Sequence, residues 1–196
     1  MDIDQLAISS ESKGPTKSIP ALIFGGITSG LAIGLTVVST PFIFPYFRRV
    51  CLPYVPATTQ QVENILYALK GRSGNVIDLG SGDGRIVLAT AQNGFQSTGV
   101  ELNPWLVAYS KLAAFKSGFH KNTRFLKTDL WKFNLEPYNN VVIFGVDSMM
   151  TELELKFLKE LKPNTVIVAC RFPLKKLKPV KTIGKGIDTV WIYQVT

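Results

Sequence analysis

Val76-Ile77-Asp78-Leu79-Gly80-Ser81-Gly82-Asp83-Gly84-Arg85 is the stretch on which the fold turns. A short apolar run ends in an acid and is followed by glycines at 80, 82 and 84. That order reads as a β-strand entering a sharp turn and then a helix, with bare backbone left open to a ligand. One helix-length further on, Val100-Glu101-Leu102-Asn103-Pro104-Trp105 ends a second strand in a carboxylate beside the turn. Together the two stretches predict half of a nucleotide-type binding site.

Working outward, the pattern alternates strand and helix. Thr58 or Thr59 caps a helix from about Gln60 to Leu69, whose Val62, Ile65, Leu66 and Leu69 share one face. Ile86 to Gln92 reads as a helix, Ser97 to Val100 as a strand, and Pro104 to Ser117 as a helix with Trp105, Val107, Ala108, Leu112 and Phe115 on or near its inner face. Strands follow at Thr123 to Lys127, Asn140 to Phe144, Thr165 to Cys170 and Thr189 to Val195, with a helix at Glu152 to Leu161. Such alternation predicts an α/β, mostly parallel, Rossmann-like sheet with right-handed crossovers and a short C-terminal part. Ligands of these sheets bind beyond the carboxyl ends of the strands, where Asp78 to Gly84, Glu101, Asp129 and Asp147 all fall.

The spacing of the turn narrows the ligand. Glycines at 80, 82 and 84 follow G-x-G-x-G, whereas the dinucleotide fingerprint wants its third glycine at 85, which is arginine here. Asp83 inside the turn opposes a pyrophosphate. A cationic ligand without phosphates fits better, and S-adenosylmethionine is one. Glu101 is then expected to accept from the ribose hydroxyls and Asp129 from the adenine amino group, with Asp78 and the backbone at Gly80 and Gly82 at the amino-acid end. The candidate cofactor set is Asp78, Gly80, Ser81, Gly82, Asp83, Gly84, Arg85, Glu101, Leu102, Asn103, Asp129 and Leu130. An NAD-dependent oxidoreductase is disfavoured by the same spacing.

Upstream, residues 1–18 mix acids, lysines and serines without apolar period and read as a disordered tail. They lack the arginine-rich, acid-poor character of a mitochondrial transit peptide. No charged side chain occurs from Ile19 to Phe47, and the twenty residues Ala21 to Thr40 would span roughly 30 Å as a helix, the thickness of a bilayer core. Residues 19–47 are therefore expected to form one membrane-embedded helix, with a buried helix or an uncleaved signal-like segment as the other readings. Gly26, Gly30 and Gly34 recur every four residues, a spacing that permits close helix approach and a homodimer, although glycine is also simply common in membrane helices. A proline-rich connector, 48–59, leads to the domain at 60–196.

Composition adds bounds. The chain of 196 residues allows one domain and something extra, and its net charge of +8 favours an anionic partner such as nucleic acid, a membrane surface or an acidic protein. The lysines do not interleave with aromatics in an RNA-binding pattern, so no nucleic-acid partner is expected. Lys175, Lys176, Lys178, Lys181 and Lys185 read as a basic stretch suited to lipid headgroups or as a solvated loop. Two cysteines, Cys51 and Cys170, and the lone His120 give neither a disulfide framework nor a metal site.

The runs at 76–85, 100–105, Thr128 to Lys132, Phe144 to Met150 and Cys170-Arg171-Phe172-Pro173 resemble a family of class I methyltransferases that methylate lysine in mitochondrial membrane proteins. Thr40 to Thr59 is similar to the members acting on the c subunit of ATP synthase, while members acting on the adenine nucleotide translocase share the core motifs. The resemblance implies S-adenosylmethionine as methyl donor, a protein lysine as acceptor and the mitochondrial inner membrane as location. It departs at Asp147, where relatives carry proline, so no catalytic residue transfers directly. Asp147, Ser148 and Tyr54 are the candidates for positioning the acceptor lysine. A non-catalytic membrane-anchored interaction protein is the alternative of another class; it has no need of Gly80, Gly82, Glu101 and Asp129 together.

Overall fold

The computed structural model describes residues 26–36, 39 and 55–196, which fall into two compact units divided after Thr40. The first unit contributes a helical segment, α1, over residues 26–36, all of whose side chains are exposed. Among the described residues no helix is long and apolar enough to cross a membrane. The remainder of the 19–47 expectation lies outside the described residues.

The second unit begins with α2 (Thr59–Ala68), where the Thr58 hydroxyl accepts from the Gln61 amide at 3.0 Å and so caps the first turn. Then come β1 (Asn75–Leu79), α3 (Arg85–Gln92), β2 (Gln96–Glu101), α4 (Pro104–Lys116), β3 (Thr123–Lys127), β4 (Asn140–Phe144), α5 (Met150–Glu160), β5 (Val166–Cys170), β6 (Lys181–Ile183) and β7 (Val190–Gln194). Seven strands form one sheet in the order β3-β2-β1-β4-β5-β7-β6. The first five run parallel, and β7 and β6 close the edge antiparallel.

Both faces are covered, which is why β4 and β5 read as continuous apolar runs. On one face Leu153 and Phe157 of α5 pack on Ile77, Leu79, Val141, Ile143 and Ile167. On the other, Ile65 and Leu69 of α2 and Ile86 of α3 meet Val76, Val142, Val168 and Cys170. The chain order reverses between β1 and β4, so the ends of these two strands and of β2 frame the switch point.

Two expectations change. The Lys175–Lys185 stretch is not one loop: Lys181 opens β6 and its ammonium sits 4.6 Å from the centre of the Tyr67 ring. On α4, only Val107 of the five residues expected to face inward is buried; Ser110 and Ala114 complete the inner face, while Trp105, Ala108, Leu112 and Phe115 are exposed. Small residues are needed there because α4 closes down on Phe125 and on the glycine turn.

Candidate functional site

Asp78 lies in register with Gly99 of β2 and Val142 of β4. It is almost wholly buried, and neither carboxyl oxygen has a hydrogen-bond partner among the described residues; the Ser81 hydroxyl beyond it is in the same state. Burial first, then the nearby Glu101 and Asp83 carboxylates, push the Asp78 carboxyl up to about 8. Unmatched buried acceptors are costly, so the position calls for a ligand that donates, and a cationic donor fits best.

The turn above it is fixed from below. The Gly80 and Ser81 amides both donate to the Val100 carbonyl, at 2.8 and 3.0 Å, and the Gly84 amide donates to the Ser81 carbonyl at 2.8 Å. Glu101 joins the turn to the second strand: its Oε2 accepts from the Gly82 amide at 3.0 Å and its Oε1 from the Asn103 amide at 2.8 Å. Each oxygen keeps a second lone pair for a diol donor. Asn103 in turn caps α4 by accepting from the Trp105 amide at 3.0 Å, with Pro104 at the first helical position.

Asp83 and Arg85 do not reach outward as free ligand groups. Arg85 Nη2 lies 2.6 Å from Asp83 Oδ2, and its Nη1 donates to the Ala57 carbonyl at 2.6 Å, tying the connector to the turn. The acid that the sequence sets against a pyrophosphate is thus neutralised locally, which leaves the glycine spacing as the stronger argument. Asp129, past β3, accepts from the Trp131 amide at 3.0 Å, while the Leu130 side chain belongs to the core. Leu102 is exposed at the rim.

Beyond β4, Asp147 and Ser148 start a short 3-10 turn, Asp147–Met149, and both are exposed. Asp147 forms an ion pair with Lys175. Tyr54 lies outside the described residues. Two groups are not apparent from sequence. Glu154, buried in the inner face of α5, accepts the amides of Lys175, Lys176 and Leu177 and so pins the segment after β5. A carboxylate between Leu153 and Phe157 on an apolar helix face is the signal that points to it. Arg171, at the end of β5, holds a positive φ of 72° and places its guanidinium 5.5 Å from the Phe144 ring centre. Cys170 is buried with its thiol pushed well up by burial and by Asp78, so it is not a nucleophile. No metal-binding cluster occurs among the described residues.

An open groove of about 710 Å³ lies at the other, amino end of the strands, lined by Asn75, Gln96, Lys121 and Tyr138 among others. It contains none of these acids. Buried, unmatched acceptors at the switch point locate the chemistry better than groove size does.

Residues 78–181, from the buried aspartate to the last hairpin, match the ANTKMT methyltransferase domain. The chain belongs to that family. The ATP synthase c-subunit lysine N-methyltransferase of Xenopus laevis is 48% identical over 193 residues, covering 98% of this chain and 85% of that protein. The adenine nucleotide translocase lysine N-methyltransferase of Mus musculus is 44% identical over 172 residues, covering 85% and 74%. Among solved structures, an RNA methyltransferase from Salinibacter ruber in complex with S-adenosyl-L-homocysteine superposes with a TM-score of 0.68 at 28% identity, covering 72% of this chain and 94% of its own. The fold is that of the class I S-adenosylmethionine-dependent methyltransferases.

Proposed function

We propose that this methyltransferase transfers the methyl group of S-adenosylmethionine to a lysine of the ATP synthase c subunit. The observation that carries the reading is the 48% identity to the Xenopus laevis enzyme, sustained over 98% of the chain. The adenine nucleotide translocase is the second reading, favoured by the 44% identity to the mouse enzyme.

When bound, the cofactor supplies an electrophilic methyl: a carbon–nitrogen bond to the lysine forms as the carbon–sulfur bond breaks, and the amine proton goes to solvent. The residues of this chain bind and orient. Asp78, ionised, receives the cofactor ammonium, Glu101 the ribose hydroxyls, and Asp129 the adenine amino group. Deprotonating the acceptor lysine at pH 7 costs about 4 to 5 kcal/mol from its ordinary pKa near 10.4, and desolvation beside a cation lowers that cost. A dedicated base is unnecessary; alignment is the main task. Asp147 and Ser148 form the acceptor side of the site in this reading, with Tyr54 as a third positioning group. That Asp147 pairs with the ammonium of Lys175 supports its ability to hold a lysine.

The membrane anchor belongs to the same proposal. Ile27, Leu31, Ile33 and Leu35 of α1 are each more than 60% exposed, the Thr36 hydroxyl is satisfied within the helix by donating to the Ala32 carbonyl at 2.8 Å, and Gly26, Gly30 and Gly34 leave open space for a second helix. Residues 19–47 then tether the enzyme at the mitochondrial inner membrane, where a lysine on a short membrane-protein loop meets it at high effective concentration. Retention in the pellet after alkaline carbonate extraction tests the anchor. The substrate is tested by incubating the enzyme and labelled S-adenosylmethionine with mitochondrial membranes from cells lacking it. Label on the c subunit is expected; label on the nucleotide translocase selects the second reading, and label on neither overturns both.

A further inference from the structure

We infer that the outer face of α4 is a second membrane contact, an interfacial surface for anionic lipid that is separate from the α1 segment. Val107, Ser110 and Ala114 turn toward the sheet. The opposite side carries Trp105, Tyr109, Leu112 and Phe115, at positions i, i+4, i+7 and i+10, with exposures from 43% to 68%. Apolar residues at this spacing form one continuous stripe along the helix. Leu102, exposed just before the cap, extends it toward the cofactor site. The stripe has no partner element among the described residues of the domain, and an apolar patch of this kind marks a surface built to be covered.

The charges around the stripe choose the occupant. From Leu102 to Thr128 the chain contains no acid, while Lys111, Lys116, Lys121, Arg124 and Lys127 fall within the same span. Lys111 and Lys116 lie on α4 itself and are exposed, and the His120 ring packs tilted against Phe115 with ring centres 5.5 Å apart. Aromatic rings with lysines whose ammonium groups can rise past them are the composition of a helix that lies in a headgroup layer. A second copy of the chain on the same face would bring lysines against lysines with no acid to receive them. Anionic headgroups supply that missing charge, and each lysine near such a surface contributes about 1 kcal/mol.

The contact has a functional consequence, which rests on the reading that the enzyme works at a membrane. The amino end of α4 is bound to the site through Asn103, whose amide donates to Glu101. Laying α4 along the bilayer therefore fixes how the carboxyl ends of the strands are tilted toward the surface where a membrane-protein lysine is presented.

The test uses the full chain bound to vesicles of phosphatidylcholine, with or without phosphatidylglycerol, whose acyl chains carry bromine to quench tryptophan. The difference between wild type and Trp105→Phe isolates the signal of Trp105. Quenching of Trp105 on the anionic vesicles is expected, and each of Lys111→Ala, Lys116→Ala and Lys121→Ala should weaken that state about fivefold. Tyr109→Ser with Phe115→Ser should abolish it while leaving cofactor binding by calorimetry unchanged. Unquenched Trp105 on vesicle-bound protein overturns the inference. So does a lipid-free dimer that sediments as such and is broken by the Tyr109→Ser, Phe115→Ser pair, or a photocrosslinker at position 112 that captures protein and not lipid. Failure of the anchor reading looks different: carbonate then releases the chain although Trp105 is quenched at neutral pH.

Discussion

Glu101 Oε2 accepts the amide of Gly82 at 3.0 Å, so the acid that ends β2 also holds the crown of the glycine turn. Its other oxygen accepts from Asn103, and each oxygen keeps a lone pair that, in the proposed reading, would receive a ribose hydroxyl. Glu101→Ala therefore loses the ligand contacts and slackens the turn together. S-adenosylhomocysteine affinity, measured by calorimetry, should fall at least about a hundredfold, since each charge-assisted bond is worth about 1.5 to 3 kcal/mol. Glu101→Gln turns an NH₂ toward one of the two amides and should be nearly as damaging.

If Asp78 receives the cofactor ammonium as proposed, cofactor binding should depend on pH. Its carboxyl is raised from 3.8 to about 8 by burial, Glu101 and Asp83, so it is mainly neutral in the free enzyme at pH 7. Accepting an ammonium favours the ionised form, so binding releases a proton and tightens as pH rises toward 8. The stability of the free enzyme runs the other way. Between 3.8 and about 8 the folded chain holds a proton on Asp78 that the unfolded chain has lost, so this residue's contribution to stability is fully present below pH 4 and is lost as pH rises through about 8. Asp78→Asn should raise the free-enzyme Tm at pH 8 by several degrees, flatten the pH dependence and remove cofactor affinity. A variant with lower Tm and retained affinity would show that Asp78 is structural.

Two glycines of the same turn should fail in different ways. Gly84 has φ of 80°, and a methyl there would stand 2.7 Å from Phe125 Cε1 and 2.8 Å from Ser110 Cβ. Left-handed strain and overpacking add, so Gly84→Ala should lower unfolding free energy by about 2 to 5 kcal/mol, read by urea denaturation. Gly80, at φ of 77°, has nothing within 4 Å of such a methyl. If the cofactor approaches that open backbone as proposed, Gly80→Ala should cost only about 1 to 2 kcal/mol of stability but most of the cofactor affinity.

The sheet, and the gathering of acids and glycines at its carboxyl ends, were legible because they rest on backbone rules. Apolar runs of five residues, separated by helix-length segments, place strands, and the acids Asp78 and Glu101 then fall at strand ends by construction. The face of α4 was not legible. Apolar periodicity ordinarily marks the buried side, but close packing over Gly84 and Phe125 selects Ser110 and Ala114, leaving the larger residues outside. Strand β6 hid in a lysine-rich stretch because an edge strand needs only backbone partners and tolerates charge. Glu154 hid because the three amides it accepts lie 21 to 23 residues away in sequence.

Asp147 and Lys175 give the test of the acceptor side. The pair joins the turn after β4 to the segment that Glu154 pins after β5, and both side chains are more than a third exposed. An exposed pair of this kind adds at most about 1 kcal/mol, so neither Asp147→Asn nor Lys175→Ala should move Tm by more than about 2 to 4 °C. Their kinetics should diverge. If Asp147 receives the substrate ammonium, it exchanges Lys175 for the incoming lysine. Lys175→Ala then removes the competitor and should lower KM for the protein substrate, whereas Asp147→Asn should raise KM by about two- to fivefold with kcat less affected. Steady-state kinetics on the purified c subunit in detergent, repeated across pH, checks both. Equal KM in the two variants, with an unchanged pH profile, would remove Asp147 from the acceptor site and leave the pair as a surface tie between two loops.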